Sequence, residues 1–391
     1  MKVKWNKRRW NQLAEKWEAQ MNHSASMTVG GKSFSFQPMR LGILLLAGLL
    51  ALVILVNLLQ IPMHRPKTVD MDFETGGDYT MIPYAGDILM YNNQQIRRMN
   101  TRGKTVWSAD VFMSHPMVET AGDYLLLADM GGNNRTVLYK NEKLCREYTI
   151  GNDIISAKVN KKGWVAFATA TVGYKGKVTV FDKKGKERFQ WNSGDGYILD
   201  IALSDDGHWL AVAQLSSEGS RSDSRIQFID LRRKKVTATA EKNGALFADL
   251  RFSENRLLAV SDTELCGFKT SGKEVFSVSF AGKNPGKYDI SSDEVLAFVA
   301  TDNLGNAVVE LYDTGGKLKG RYQADSNVHN LSVFEDMVVI TRNRDVLYMN
   351  TRGRLKKTAT ARHDIKGLGV FGDGHTALAA GNTEAYIVRM R

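Results

Sequence analysis

The sequence predicts an all-β protein: an eight-bladed β-propeller, with seven blades as the alternative, following one transmembrane helix and a short basic N-terminal tail. Three observations carry this. The first is a family of turns, Asn100-Thr-Arg-Gly103-Lys, Asn141-Glu-Lys143, Asp182-Lys-Lys-Gly185-Lys, Asp230-Leu-Arg-Arg233-Lys, Lys269-Thr-Ser-Gly272-Lys, Asp313-Thr-Gly-Gly316-Lys and Asn350-Thr-Arg-Gly353-Arg. Measured between Gly103, Glu142, Gly185, Arg233, Gly272, Gly316 and Gly353, they recur after 39, 43, 48, 39, 44 and 37 residues, the period of a four-stranded blade. The second is an interleaved set of acidic or Gly-containing hairpins, such as Ala85-Gly-Asp87, Asp205-Asp-Gly207 and Gly372-Asp-Gly374, each leading into a compact apolar strand. Such turn residues tolerate positive φ, and continuous apolar runs suit strands buried on both faces. The third is an uncharged apolar run, Leu41–Met63, before the repeats.

Taken from the N-terminus, residues 1–40 carry eight Lys or Arg against Glu15 and Glu18, a large share of the chain's net +11. Trp10, Leu13, Ala14 and Trp17 fall on one face of a short helix with basic residues around it, which suits contact of Trp10 and Trp17 with an anionic inner membrane surface. Asn22–Pro38, rich in Ser, Gly and Met, reads as a flexible connector. The run 41–63 is long enough as a helix, about 34 Å, to cross the hydrocarbon layer. It ends without a small-residue cleavage pattern, so it reads as an uncleaved anchor rather than a signal peptide. The charge difference between its flanks places the tail in the cytoplasm and residues 64–391 outside it, in a single-pass cell-membrane protein.

Eight inner hairpins meet only seven outer ones, and the chain stops at Ile387-Val-Arg-Met390, a third strand without a fourth. Val69–Glu74 is the expected donor, because pairing the two ends of the repeat region closes the ring and removes two open edges. Cys145 and Cys266 lie in repeats on different sides of such a ring, too far apart for a disulfide, and are expected to be reduced and buried.

The segments Gly103-Lys-Thr-Val-Trp107, Gly185-Lys-Glu-Arg-Phe189 and Gly272-Lys-Glu-Val-Phe276, with Ile96-Arg-Arg-Met-Asn100 ahead of the first, resemble the PQQ-like repeat. That repeat also builds the eight-bladed lipoprotein of the outer-membrane barrel-assembly machinery. The arrangement as a whole, over roughly residues 40–391, is similar to a poorly characterised family of bacterial, chiefly Gram-positive, single-pass membrane proteins with an extracytoplasmic PQQ-like or WD40-like propeller and no known function.

Catalytic patterns are missing from the sequence. No two histidines have metal-ligand spacing, and there is no nucleophile elbow, phosphate-binding loop, calcium-loop carboxylate pattern or adjacent cysteine pair of the kind quinone enzymes use. The expectation is a non-enzymatic protein with no cofactor or metal and no nucleic-acid partner. Its function is then interaction with an envelope or membrane protein, the alternative being a sensor of a small envelope ligand such as a glycan. Tyr174, Lys175, Trp191, Tyr197, Arg221, Arg225 and Tyr288 are the expected binding residues, placed on the rim formed by inter-blade connections and by the long loop Leu215–Arg225. Exposed aromatics and arginines make the strongest interface anchors.

Overall fold

The computed structural model describes residues 79–391 outside 132–134, 217–222, 254, 281–283, 291–294, 302–305, 325–326, 383 and 391, together with strands Ala25–Val29, Lys32–Phe36 and Lys67–Val69 and a helix over 46–51. The chain divides into two compact units, Met1–His64 and Arg65–Arg391.

In the first unit, Ala25–Val29 and Lys32–Phe36 pair antiparallel, from Ala25 opposite Phe36 to Val29 opposite Lys32. A flexible connector was expected here. The apolar alternation Met27, Val29, Phe34, Phe36 about a two-residue Gly30-Gly31 link is a hairpin signal that outweighs the Ser and Gly content. Among the described residues no helix is long and apolar enough to cross a membrane. The proposed tail helix with Trp10 and Trp17, and all of 41–63 beyond the short helix, lie outside the described residues.

The second unit is a ring of eight four-stranded antiparallel sheets among the described residues. Each of the first seven blades runs from the channel outwards, as blade three does through Ile154–Val159, Val165–Thr169, Gly176–Phe181 and Glu187–Ser193. Innermost strands of successive blades lie side by side through blades two to five and six to eight. Gly367–Val370 of the last blade lies beside Thr80–Tyr84 of the first, which closes the ring. The eighth blade is shared, as expected: Lys67–Val69 supplies its outermost strand against Ala385–Arg389. The donor lies slightly upstream of the expected Val69–Glu74. Val69 faces Ala385, the first residue of its partner strand, and the rest of the expected donor, 70–74, lies outside the described residues.

The second strand of every blade is the core. Ile88–Met90, Leu125–Ala128, Val165–Ala168, Leu210–Ala213, Leu257–Val260, Leu296–Ala300, Met337–Ile340 and Ala377–Ala380 are buried throughout. Their side chains join neighbouring blades. Met81, Ile88, Met90 and Met99 of the first blade pack with Phe371, Leu378, Ala380 and Ala385 of the last. Each buried Leu, Ile or Met contributes roughly 1.5–3 kcal/mol, so closure rests on ordinary apolar packing.

Five of the seven outer turns, those with Gly103, Gly185, Gly272, Gly316 and Gly353, share one local cause. In Asn100-Thr-Arg-Gly103-Lys the Gly103 amide donates to the Asn100 carbonyl at 2.9 Å and the Asn100 amide to the Lys104 carbonyl at 2.9 Å. Gly103 takes φ +85°, and the strand register slips between Arg98 and Met99. This is a three-residue hairpin loop, a type I turn followed by a left-handed bulge residue. The Asn or Asp at the first position receives two main-chain amides on one side-chain oxygen, those of Lys184 (2.8 Å) and Lys186 (3.0 Å) in the case of Asp182. In the fourth blade it is Lys234, rather than the neighbouring Arg233, that takes the positive φ.

Cys266 is buried but Cys145 is exposed, which corrects the expectation for the latter. Cys145 lies on the outermost strand Lys143–Thr149, which has solvent on its outer side.

Candidate functional site

A propeller blade alternates direction, so inter-blade connections and the links between second and third strands share one rim. Tyr174 and Lys175 sit on that rim, just ahead of the third strand of blade three, and Tyr197 begins the innermost strand of blade four. Tyr174 is 53% and Tyr197 48% exposed. The Lys175 ammonium lies 4.6 Å from the Tyr197 ring centre and donates to its hydroxyl at 3.1 Å. This contact holds both side chains in place without burying them. The Lys175 amide donates to the Ser193 carbonyl at 2.8 Å, tying the loop to the connection beside it.

Arg225 stands next to this group. Of the expected long loop Leu215–Arg225 the two ends are strand, Trp209–Ser216 and Asp223–Asp230 pairing up to Ser216 opposite Asp223, and 217–222 lie outside the described residues. Alternating Ile and Phe after Arg225 draw the polar stretch into the ladder. Arg225 donates to Asp195 on the connection (2.7 Å) and to Glu241 on the outermost strand (2.9 Å). Arg221 lies outside the described residues. Trp191 is half-buried and packs against the core shared by blades three and four, so it supports the rim.

Tyr288 is elsewhere. It lies on the innermost strand Asn284–Ile290 and hydrogen-bonds Asp249 of the preceding blade. Burial, and then the Asp249 carboxylate, push its phenol above the ordinary range. Sequence reasoning missed Phe112 and Val172. Both are exposed, at 66% and 96%, in stretches that reach this rim. Phe112, with φ +47° in the connection from the first blade, is a bulky apolar residue in a turn conformation, a pattern visible only once the dihedral is known.

The channel is a second candidate. A cavity of about 450 Å³ is lined by Glu119, Lys158, Lys161, Asp205 and Arg251 among others. Of its charges, Lys161 pairs with Asp205 of the next blade at 2.8 Å and Arg251 donates to the Ile290 carbonyl of the next blade at 2.9 Å, and polar groups beside them link blade to blade. The Ser156 hydroxyl donates to Asp200 Oδ1 at 2.7 Å, and Asp200 Oδ2 accepts the Leu250 amide at 2.9 Å. Asp249 takes Tyr288, Asp289 Oδ2 accepts the Val333 amide at 2.8 Å, and Ser332 Oγ accepts the Val370 amide at 3.2 Å. Each bond runs from one blade to the next, so a polar belt follows the channel wall from blade three to blade eight. Among the described residues no group of three or more His, Cys, Asp or Glu side chains converges as metal ligands.

Burial raises the Glu119 carboxyl, with Lys158 and Arg251 opposing it and Asp200 and Asp249 adding to it. A carboxyl raised on folding favours the protonated folded state. Its charged form therefore costs stability above its folded pKa, and the cost disappears as pH falls into the ordinary carboxylate range. Glu119→Gln is expected to be more stable than the wild-type chain at pH 7. The two should converge near pH 4, as read by urea unfolding at both values.

No curated protein matches the chain. A protein-family model described as a family of unknown function (DUF5711) matches residues 66–390. Among solved structures, the chain is similar to BamB from Moraxella catarrhalis, with a TM-score of 0.54 and 12% identity over 83% of this chain and 99% of that one. It is similar to the C-terminal WD40 domain of Sif2, at 0.58 and 13% identity over 84% and 98%. It also resembles Chaetomium thermophilum Sqt1 bound to the N-terminus of the ribosomal protein L10, at 0.55 and 12% identity over 83% and 100%. At these identities the likeness is one of fold: a WD40-like and BamB-like β-propeller.

Proposed function

The chain belongs to that family of unknown function, and from this premise we propose that it is a non-enzymatic, membrane-anchored propeller that binds a protein at the cell envelope. The observation that carries this reading is the rim of blades three and four, where the half-exposed Tyr197 is held by Lys175, with the exposed Tyr174 next to that lysine in the chain and a doubly paired arginine beside them. Rigid aromatics bind at small entropic cost, because little side-chain freedom remains to be lost. Propeller folds commonly serve as interaction scaffolds, and the Sqt1 structure is one such complex. The apolar run 41–63 and the basic residues before it support an anchor with its N-terminus in the cytoplasm and the ring outside.

A photo-crosslinking residue at position 174 or 197 of the full chain, in native membranes, is expected to capture the same envelope protein from both positions. Absence of any protein adduct from either position overturns the reading. Tyr174→Ala with Tyr197→Ala should weaken binding of the captured partner by roughly thirtyfold or more, the scale of interface anchors, with the melting temperature unchanged. Recognition of a small envelope ligand such as a glycan is the second reading, supported by the cavity of about 450 Å³ in the channel. A ligand-dependent rise in melting temperature that survives both tyrosine substitutions would favour it.

A further inference from the structure

The opposite rim of the ring, built by the outer turn family, has a composition that neither the interaction surface nor the core accounts for. Val106, Leu144, Val236, Val275, Leu318 and Leu355 begin the outermost strands of six different blades, and all are between 37% and 56% exposed. Each follows an exposed Lys or Arg by one or two positions. Around them Lys and Arg far outnumber Asp and Glu, as in Arg232-Arg-Lys-Lys235 and Arg352-Gly-Arg-Leu-Lys-Lys357. Acids in the same turns are largely turned inward: Asp182 and Asp230 are buried, holding main-chain amides. The inner hairpins on this side do carry acids. Asp87 is held by Arg98 (2.9 Å), Asp205 by Lys161 (2.8 Å), and Asp373 receives the His375 and Thr376 amides of its own turn.

A second, independent observation is the direction of the outermost strand in the eighth blade. In blades one to seven the outermost strand starts at this rim. In the eighth, Lys67–Val69 runs antiparallel to Ala385–Arg389, with Lys67 opposite Ile387 and Val69 opposite Ala385, so Lys67 is its rim end. Lys67–Val69 therefore runs away from the basic rim, and in the sequence it follows the apolar run 41–63 by only a few residues.

We propose that this rim rests on a bilayer surface containing anionic lipids, the lysines and arginines meeting phosphate headgroups and the aliphatic tips reaching the interface. The inference rests on the anchor reading for the tether, and the rim itself supplies the contact. Basic residues near an anionic bilayer each add to binding, and apolar side chains among them gain by shallow burial. A free anionic polymer would use the charge but leave the aliphatic tips in water. The contact would orient the Tyr174 and Tyr197 rim away from the membrane, towards a partner.

Cys145, the exposed one of the two cysteines and the neighbour of Leu144, is a natural probe. The full chain is labelled there with an environment-sensitive fluorophore and reconstituted into phosphatidylcholine vesicles with and without phosphatidylglycerol, each containing a shallow lipid-borne quencher. The expected result is roughly twofold or greater quenching that requires phosphatidylglycerol and is reversed by high salt. The same label at position 174, in a Cys145→Ser background, should show none. Replacing Lys234, Lys235, Arg354 and Lys356 with Gln should abolish the quenching at Cys145 while leaving melting unchanged. A Cys145 label that stays in water with phosphatidylglycerol present, or equal quenching at position 174, overturns the proposal. Flotation with neutral vesicles tests the anchor separately. If the chain fails to float there, salt-sensitive flotation with phosphatidylglycerol supports the rim contact and its absence refutes it.

Discussion

Gly353→Ala is expected to destabilise the ring by roughly 3 kcal/mol or more, through two costs that add. Gly353 takes φ +73°, where an L side chain crowds the following carbonyl. A Cβ placed there would also lie 2.2 Å from the Arg321 carbonyl oxygen and 2.5 Å from its carbon, main-chain atoms of the outermost strand of the preceding blade. A backbone cannot swing aside as a side-chain tip can. The arrangement is reciprocal: a Cβ on Gly320 would lie 2.2 Å from the Arg352 carbonyl carbon. Blades six and seven therefore touch main chain to main chain, and only glycine permits it. Gly86→Ala separates the two costs, since Gly86 has φ +80° with nothing within 4 Å of its would-be Cβ. It should lose only about 1–2 kcal/mol, the dihedral cost alone. Equal losses in denaturant unfolding of the two full-length variants would show that the inter-blade approach contributes nothing.

That pair of glycines also marks how far the sequence could be read. The turn period is visible because most outer turns pair an Asn or Asp, whose side chain can receive main-chain amides, with a left-handed position. Local backbone chemistry imposes that pattern on the sequence, so it gives the blade count. The shared eighth blade follows from an unpaired last strand. What could not be read are features set by neighbours far along the chain. Gly320 looks like any strand glycine until Arg352 is placed against it. Tyr288 has the exposure expected of a rim residue, yet its strand is innermost and its hydroxyl is taken by Asp249. Trp191 and Tyr197 are similar aromatics a few residues apart. One packs inward because it faces Val178 across the sheet, and the other, at a strand start, stays out. Charge pairing behaves likewise: Asp195 and Glu241 hold Arg225 from two directions, and nothing in their spacing announces it.

The polar belt gives the second large effect. Asp200 is buried and joins three blades, accepting the Ser156 hydroxyl from blade three and the Leu250 amide from blade five, with Lys158 at 3.8 Å. Asp200→Ala would leave a hydroxyl and a main-chain amide without an acceptor and the Lys158 ammonium without its carboxylate partner. Losing such partners costs about 3–5 kcal/mol where a buried charge is orphaned. Asp200→Asn keeps one oxygen and the shape, so it should cost less than half as much. The carboxyl itself is raised by burial, opposed by Lys158, Ser156 and Leu250. By the same linkage as Glu119, its charged form costs stability above its folded pKa, and acid relieves that cost. The loss in Asp200→Asn should therefore be smaller at pH 7 than at pH 4, because the charge it removes burdens the wild-type chain only at the higher pH. Unfolding free energies of both variants at both values decide the matter. An alanine variant no weaker than the asparagine one would mean that the channel wall holds together without its belt.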